Sequence, residues 1–114
     1  MSGGAINESI IADTTKHLNK VGNIEEGGTR VQPGVFYRDF EKKTLARKLI
    51  LPCYTASKNL CALGGMVANN CAGEKTLRYG KMENFVKSTK YIFADGHEYR
   101  VKPLSKKELE EKMA

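Results

Sequence analysis

The run Leu63-Gly64-Gly65-Met66-Val67-Ala68-Asn69-Asn70-Cys71-Ala72-Gly73 constrains this chain more than any other stretch, because two glycines precede a segment of small side chains. Glycine lets a backbone approach a neighbour closely or take positive φ. Leu63 to Asn70 is expected as a short helix opened by Gly64-Gly65. Peptide N–H groups at a helix start, or in a backbone nest, can hold a phosphate. Ala68, Ala72 and Gly73 leave that approach unobstructed, and Asn69 and Asn70 add uncharged donors and acceptors. Such a segment can cradle a pyrophosphate or the edge of a flat ring. A bare glycine pair serves equally well as a tight turn or a close helix–sheet contact. The spacing is not G-x-G-x-x-G, and no Gly-Lys-Ser/Thr follows to make a phosphate loop.

Around this run the pattern mixes helices with antiparallel strands. Ser9 to Asp13 and Thr29 to Gln32 read as two short strands of a hairpin, with a loop near Lys16 to Glu26, a turn at Gly27-Gly28 and a stop at Pro33-Gly34. Val35 to Leu49 carries Phe36, Phe40, Leu45 and Leu49 at about helical spacing, and Pro52 ends it. Those apolar residues are expected in the core. Pro52 to Leu60 is irregular, and Gly73 to Gly80 is a loop. Phe85 to Ala94 alternates as a strand, with Phe85, Thr89, Tyr91 and Phe93 on one face. Asp95-Gly96 suits a type I′ turn, which needs positive φ at both positions. His97 to Val101 returns as the partner strand. Ser105 and Glu108 form a capping box for a polar helix through Met113. The fold class is α+β, with antiparallel strands and hairpins and short flanking helices. It is not a series of βαβ units, so a doubly wound nucleotide fold is disfavoured.

At 114 residues the chain suits one small domain or part of a larger one, and 40% hydrophobic residues allow a core without a thick one. A net charge of +6 favours anionic partners, but the Lys and Arg are scattered among acids, which argues against nucleic acid. Three cysteines, Cys53, Cys61 and Cys71, cannot close a disulfide framework, and none forms a C-x-x-C pair. His17 and His97 lie away from them in sequence, so no zinc site is expected. Reduced thiols, no basic-then-apolar leader from Met1 to Asn7 and no membrane span point to a soluble cytoplasmic chain.

The wider string resembles a known family. It comprises Ala56-Ser57-Lys58, Cys61 through Asn70, and Gly73-Glu74-Lys75-Thr76-Leu77-Arg78-Tyr79-Gly80-Lys81, with Val31-Gln32-Pro33-Gly34-Val35 upstream and Ala94-Asp95-Gly96 downstream. It is similar to the FAD-binding domain of the vanillyl-alcohol oxidase / p-cresol methylhydroxylase (PCMH) type, nearest to its D-lactate dehydrogenase and glycolate oxidase group. The resemblance covers nearly the whole chain. It implies one partial FAD-binding domain over residues 1–114, without the N-terminal subdomain or the substrate-binding cap. It implies non-covalent FAD, held weakly or not at all by this chain alone, within an oxidoreductase acting on a 2-hydroxy acid.

The implied cofactor-binding residues are Ser2, Gly3, Gly4, Pro52, Ser57, Leu63, Gly64, Gly65, Met66, Ala68, Asn69, Gly73, Tyr79 and Gly80. Ser2-Gly3-Gly4 resembles the tail of the family's first pyrophosphate loop. Ser57 would line the ring, and Tyr79-Gly80 would shape the pocket end. Cys53 and Thr55 stand where the family often has prolines, and Cys71 and Ala72 where Ala and Gly are common. No catalytic residue is identified. Expected partners are FAD, the missing subdomains of the same or an adjacent chain, and a second copy in a homodimer. The competing reading is a truncated, non-catalytic α+β module that binds no FAD by itself.

Overall fold

The computed structural model describes residues 8–114. The chain divides into two compact units, Met1–Glu83 and Asn84–Ala114, and each is described by itself. Ser2, Gly3 and Gly4 lie outside the described residues.

In the first unit, residues 20–32 form a narrow hairpin. Gly22 N–H donates to the Arg30 carbonyl (2.8 Å), Gln32 N–H to the Lys20 carbonyl (3.0 Å), and Glu25 and Gly28 close the tip reciprocally. The segment Thr29–Gln32 therefore pairs, but not with Ser9–Asp13. That apolar run forms no strand, and Ile10 is 98% exposed. Closing a tight turn at Glu25–Gly28 costs less chain entropy than fetching a more distant partner.

Helix α1 spans Tyr37–Leu45. It has no side-chain cap, but its first N–H group donates to the Cys61 carbonyl (2.9 Å), and Asp39 places an acid in the first turn. The helix stops well before Pro52, contrary to expectation. Lys48 adopts φ 58°, Leu49 N–H returns to the Thr44 carbonyl (3.0 Å) and Lys48 N–H to the Leu45 carbonyl (2.9 Å). This is a Schellman ending with lysine in the position glycine usually takes. The buried stripe is Tyr37, Phe40 and Thr44. Of the expected core set only Phe40 is buried: Phe36 is half-buried, while Leu45 and Leu49 are exposed because the ending turns the chain away.

Residues 33–37 run antiparallel to 61–64, with an isolated bridge between Phe36 and Ala62. Helix α2 spans Leu63–Ala68, close to the expected range. A further short helix, α3, spans Thr76–Tyr79 inside the expected loop. The core gathers Val35, Tyr37, Phe40, Cys53, Leu63, Met66, Cys71 and Met82.

In the second unit, β1 (Thr89–Ile92) pairs antiparallel with β2 (Glu98–Val101), bringing Tyr91 opposite Tyr99 and Ile92 opposite Glu98. The expected strand from Phe85 to Ala94 is shorter at both ends, and Met82–Phe85 is a 3-10 turn. At the hairpin tip only Gly96 has positive φ (76°), so the turn is not type I′. Gly96 N–H closes onto the Phe93 carbonyl (2.9 Å), leaving a three-residue loop, Ala94 to Gly96. The Asp95 carboxylate explains this. It accepts from His97 N–H (3.0 Å) and the Tyr99 hydroxyl (2.5 Å), satisfying the turn without a left-handed Asp95.

Helix α4 (Lys106–Met113) starts at the expected capping box, with Ser105 N–H donating to the Glu108 carboxylate and Glu108 N–H to the Ser105 hydroxyl. No residue of this unit is buried. Short helices and an antiparallel two-stranded sheet make the described residues α+β, as expected.

Candidate functional site

The glycine pair divides into two roles. Gly64 is packed: a Cβ there would lie 2.5 Å from the Pro33 Cβ and 2.9 Å from its carbonyl oxygen. Its N–H donates to the Pro33 carbonyl (2.9 Å), and Leu63 N–H donates to the Val35 carbonyl (2.8 Å). Both donors at the start of α2 are thereby committed within the chain. Gly65 is open, with nothing within 4 Å of an added Cβ. Leu63 and Met66 are each 2% exposed and face the core, whereas Gly65, Ala68 and Asn69 form the exposed side of α2.

The 52–61 segment lies against the end of this run. A Cβ on Gly73 would fall 1.8 Å from the Tyr54 carbonyl oxygen, so the two backbones meet there with no room for a side chain. Gly73 N–H is held by the Thr76 hydroxyl (2.7 Å), which also fastens the start of α3. Pro52 is buried. Ser57 is exposed, and its hydroxyl meets that of Thr55 at 3.0 Å. Cys61 follows at 3.8 Å from the Thr55 hydroxyl.

Tyr54 was not singled out by sequence, yet it organises this edge. Its hydroxyl donates to Glu74 (2.5 Å), and the ammonium groups of Lys58 and Lys75 stand 4.9 and 5.5 Å from its ring centroid. Lys58 is also paired with Glu41 (3.0 Å). Lys75 attends the Tyr54 ring, while Arg78 stacks over Tyr79 at 5.2 Å.

The structure therefore brings the Cys53–Tyr54 backbone against the Cys71–Gly73 end of this run, with the Tyr54 carbonyl at Gly73 and the Cys71 thiol donating to the Cys53 carbonyl (3.2 Å). Tyr79 and Gly80 end α3, with Gly80 N–H donating to the Thr76 carbonyl (2.8 Å). Among the described residues no hydrogen bond joins Tyr79 or Gly80 to α2. Asn70 (φ 42°) is locked to Glu83 in both directions, its amide donating to the carboxylate and its oxygen accepting from Glu83 N–H, each at 3.0 Å. An open groove elsewhere in this unit is lined by Thr15, Asn19, Gly34, Phe36 and Arg38. It contains none of the sequence-predicted site residues. Arg38 there is occupied by the Asn59 carbonyl (2.6 Å) and the Phe36 ring (4.5 Å).

Burial pushes the Cys53 thiol up to about 11 and raises Cys71 as well. Burial also raises Tyr37, whose hydroxyl donates to the Leu51 carbonyl. These shifts run away from neutrality and tune no acid or base toward pH 7. His17 and His97 are exposed, and His97 lies 3.7 Å from Asp95. What this unit offers is a surface of small uncharged residues, Gly65, Ala68 and Asn69. That surface fits contact with a flat cofactor made through backbone and small polar groups. Among the described residues no helix is long and apolar enough to cross a membrane.

Comparison with known proteins identifies the family. The family model described as FAD binding domain matches residues 1–102. The chain is 29% identical over 105 residues to D-2-hydroxyglutarate dehydrogenase of Escherichia coli, covering 90% of this chain and 10% of that protein. It is 29% identical over 98 residues to D-lactate dehydrogenase of Archaeoglobus fulgidus, covering 84% and 22%. It is 29% identical over 83 residues to glycolate oxidase subunit GlcD of Bacillus subtilis, covering 71% and 18%. The chain thus spans between 10% and 22% of the length of these three curated relatives. The match over residues 1–102 makes the chain a member of the FAD binding domain family, with FAD as the family's cofactor.

Proposed function

We propose that this chain supplies one wall of the FAD site of an oxidoreductase acting on a 2-hydroxy acid. The observation that carries the reading is the exposed side of α2, formed by Gly65, Ala68 and Asn69. Three relatives whose names specify D-2-hydroxyglutarate, D-lactate and glycolate support the substrate class. FAD supplies the redox chemistry in such an enzyme, and the protein supplies position and electrostatics.

In this reading Gly65, Ala68, Asn69, Ser57, Tyr79 and Gly80 touch the cofactor. Pro52, Leu63, Gly64, Met66 and Gly73 hold that surface in shape from behind. Ser2, Gly3 and Gly4 complete a phosphate loop. The two units are parts of one FAD-binding domain, which the family match crosses without a break. Substrate groups and the catalytic acid or base come from other subdomains of such an enzyme, in the same or an adjacent chain. Those subdomains, rather than a second copy, also cover the exposed apolar side chains of Asn84–Ala114. Three free thiols suit a reducing compartment, and we place the protein in the cytoplasm.

The isolated chain binds FAD weakly. The N–H groups of Leu63 and Gly64 are already committed to Val35 and Pro33, so this wall by itself offers few phosphate donors. Losing half of such a cradle costs several kcal/mol, or about a thousandfold in affinity. Titrating concentrated protein with FAD and following flavin absorbance tests the reading. A saturable spectral change is expected, and a flat titration removes cofactor binding by this chain alone.

A further inference from the structure

Tyr54 sits where three segments of the first unit meet. It touches α1 through Tyr37, whose fully buried ring is tilted against its own with centroids 5.9 Å apart. It touches the loop after α2 at two points. Its carbonyl meets the Gly73 backbone with no space for a Cβ, and its hydroxyl donates to the Glu74 carboxylate (2.5 Å). Tyr54 also opens the turn that carries Ser57. In that turn Lys58 N–H donates to the Thr55 carbonyl (3.0 Å) and Cys61 N–H to the Ser57 carbonyl (3.1 Å). The Lys58 ammonium lies 4.9 Å from the Tyr54 ring centroid while it pairs with Glu41 of α1 (3.0 Å). The Lys75 ammonium, 5.5 Å from the same centroid, adds a second cation–π contact from the loop.

We propose that Tyr54 is a positioning residue of the FAD wall: it latches the Ser57 turn to the loop that follows α2. The inference rests on the FAD reading above and adds to it a residue that does not itself touch the cofactor. Ring packing on Tyr37 ties Tyr54 to α1 alone. The hydroxyl is what reaches Glu74, and among the described residues no other side-chain hydrogen bond joins residues 54–61 to residues 72–80. A hydrogen bond to a carboxylate is stronger than one between neutral groups. Small groups such as the Ser57 hydroxyl and the Asn69 amide cannot follow a displaced ligand as a long side chain can. A wall made of them works when its pieces are held in register by packed and hydrogen-bonded neighbours.

The test compares FAD affinity of the full chain and its variants by flavin absorbance, with far-ultraviolet circular dichroism verifying that each is folded at the assay temperature. Tyr54→Phe keeps the ring and removes the latch; it is expected to bind FAD about tenfold more weakly. Glu74→Leu is expected to lose as much, and the double variant no more than either alone, because the two residues act through one bond. Glu74→Gln keeps an acceptor for the hydroxyl and is expected to recover most of the affinity. Tyr99→Phe is the control: it removes the same kind of bond, to Asp95 (2.5 Å), in the second unit, and is expected to leave FAD affinity unchanged. FAD bound equally well by wild type and Tyr54→Phe overturns the positioning role and leaves the FAD reading standing. So does an additive loss in the double variant, no recovery in Glu74→Gln, or an equal loss in Tyr99→Phe. A wild-type chain with no saturable flavin change overturns the FAD reading, and the positioning role with it.

Discussion

Among the described residues up to Glu83, apolar side chains from Val35 to Met82 are buried, whereas from Asn84 onward none is. The first unit is also closed by backbone bonds between distant segments, such as Tyr37 to Cys61 and Gly64 to Pro33. The second is assembled from near neighbours: a hairpin across a three-residue loop, an Asp95-centred turn and a capping box. Its aromatic side chains meet each other, with Tyr91 stacked on Phe93 at 6.0 Å and Phe93 tilted against Tyr99 at 5.2 Å, yet all three remain exposed. The difference teaches that one unit owes its shape to burial and the other to local hydrogen bonding. Small hairpins of the second kind are marginal without cover.

The largest expected contrast is between two aromatic truncations. Phe40→Ala empties the core and should cost about 3 kcal/mol or more, read as a lower urea midpoint. Phe93→Ala, at a half-exposed position, should cost below about 1 kcal/mol. Comparable losses at the two sites would break the distinction.

Next come the glycines of the first unit. Gly73→Ala drives a methyl group into the Tyr54 carbonyl and should cost about 2–3 kcal/mol. Gly65→Ala meets open space inside a helix and should be neutral or slightly stabilising, by up to about 1 kcal/mol. Chemical denaturation of the two variants side by side gives both values.

The units also differ in which extreme of pH undoes them. Burial raises the Cys53 thiol from 9.0 to about 11. Below pH 9 the thiol is protonated in both folded and unfolded chains, so its contribution is intact. Between pH 9 and 11 the unfolded chain ionises first, and stability should fall by about 2 kcal/mol. Tyr37, also raised by burial, adds to the fall above pH 10. A Cys53→Ala variant should lose most of the fall between pH 9 and 10.

The acid limb belongs to α4. Glu108 is held at about 2, first by the hydrogen bond from Lys102 and then by those from Ser105. Its help is present above pH 4.5 and disappears as pH falls toward 2. Ser105→Ala removes the same cap at neutral pH, for about 1 kcal/mol of helix stability. Circular dichroism at acid pH should report loss of α4 before loss of the core.

What was legible in the sequence was what is decided locally. The capping box at Ser105 and Glu108, the hairpin around Asp95-Gly96 and the short helix after Gly64 each follow from residues a few positions apart. The end of α1 was not legible, because a lysine rather than a glycine takes the left-handed position at residue 48. Of the buried stripe Tyr37–Phe40–Thr44 only Phe40 was legible, because Leu45 and Leu49 matched helical spacing equally well. Ser9–Asp13 looked like a strand by composition, and among the described residues no partner strand pairs with it. At the candidate site, the small-residue run was visible but the division between Gly64 and Gly65 was not. It depends on Pro33, which sequence spacing does not bring near. Tyr54 was hidden for the same reason.

The central claim is that the exposed side of α2, with Ser57, forms a wall of the FAD site. Amide chemical shifts of the 15N-labelled chain, followed during titration with FAD, test it most directly. The account predicts saturable shifts at Ser57, Gly65, Ala68 and Asn69, with the hairpin from Thr89 to Val101 silent. Shifts confined to the hairpin, or no shift at any of the four residues at the highest attainable FAD, would contradict it.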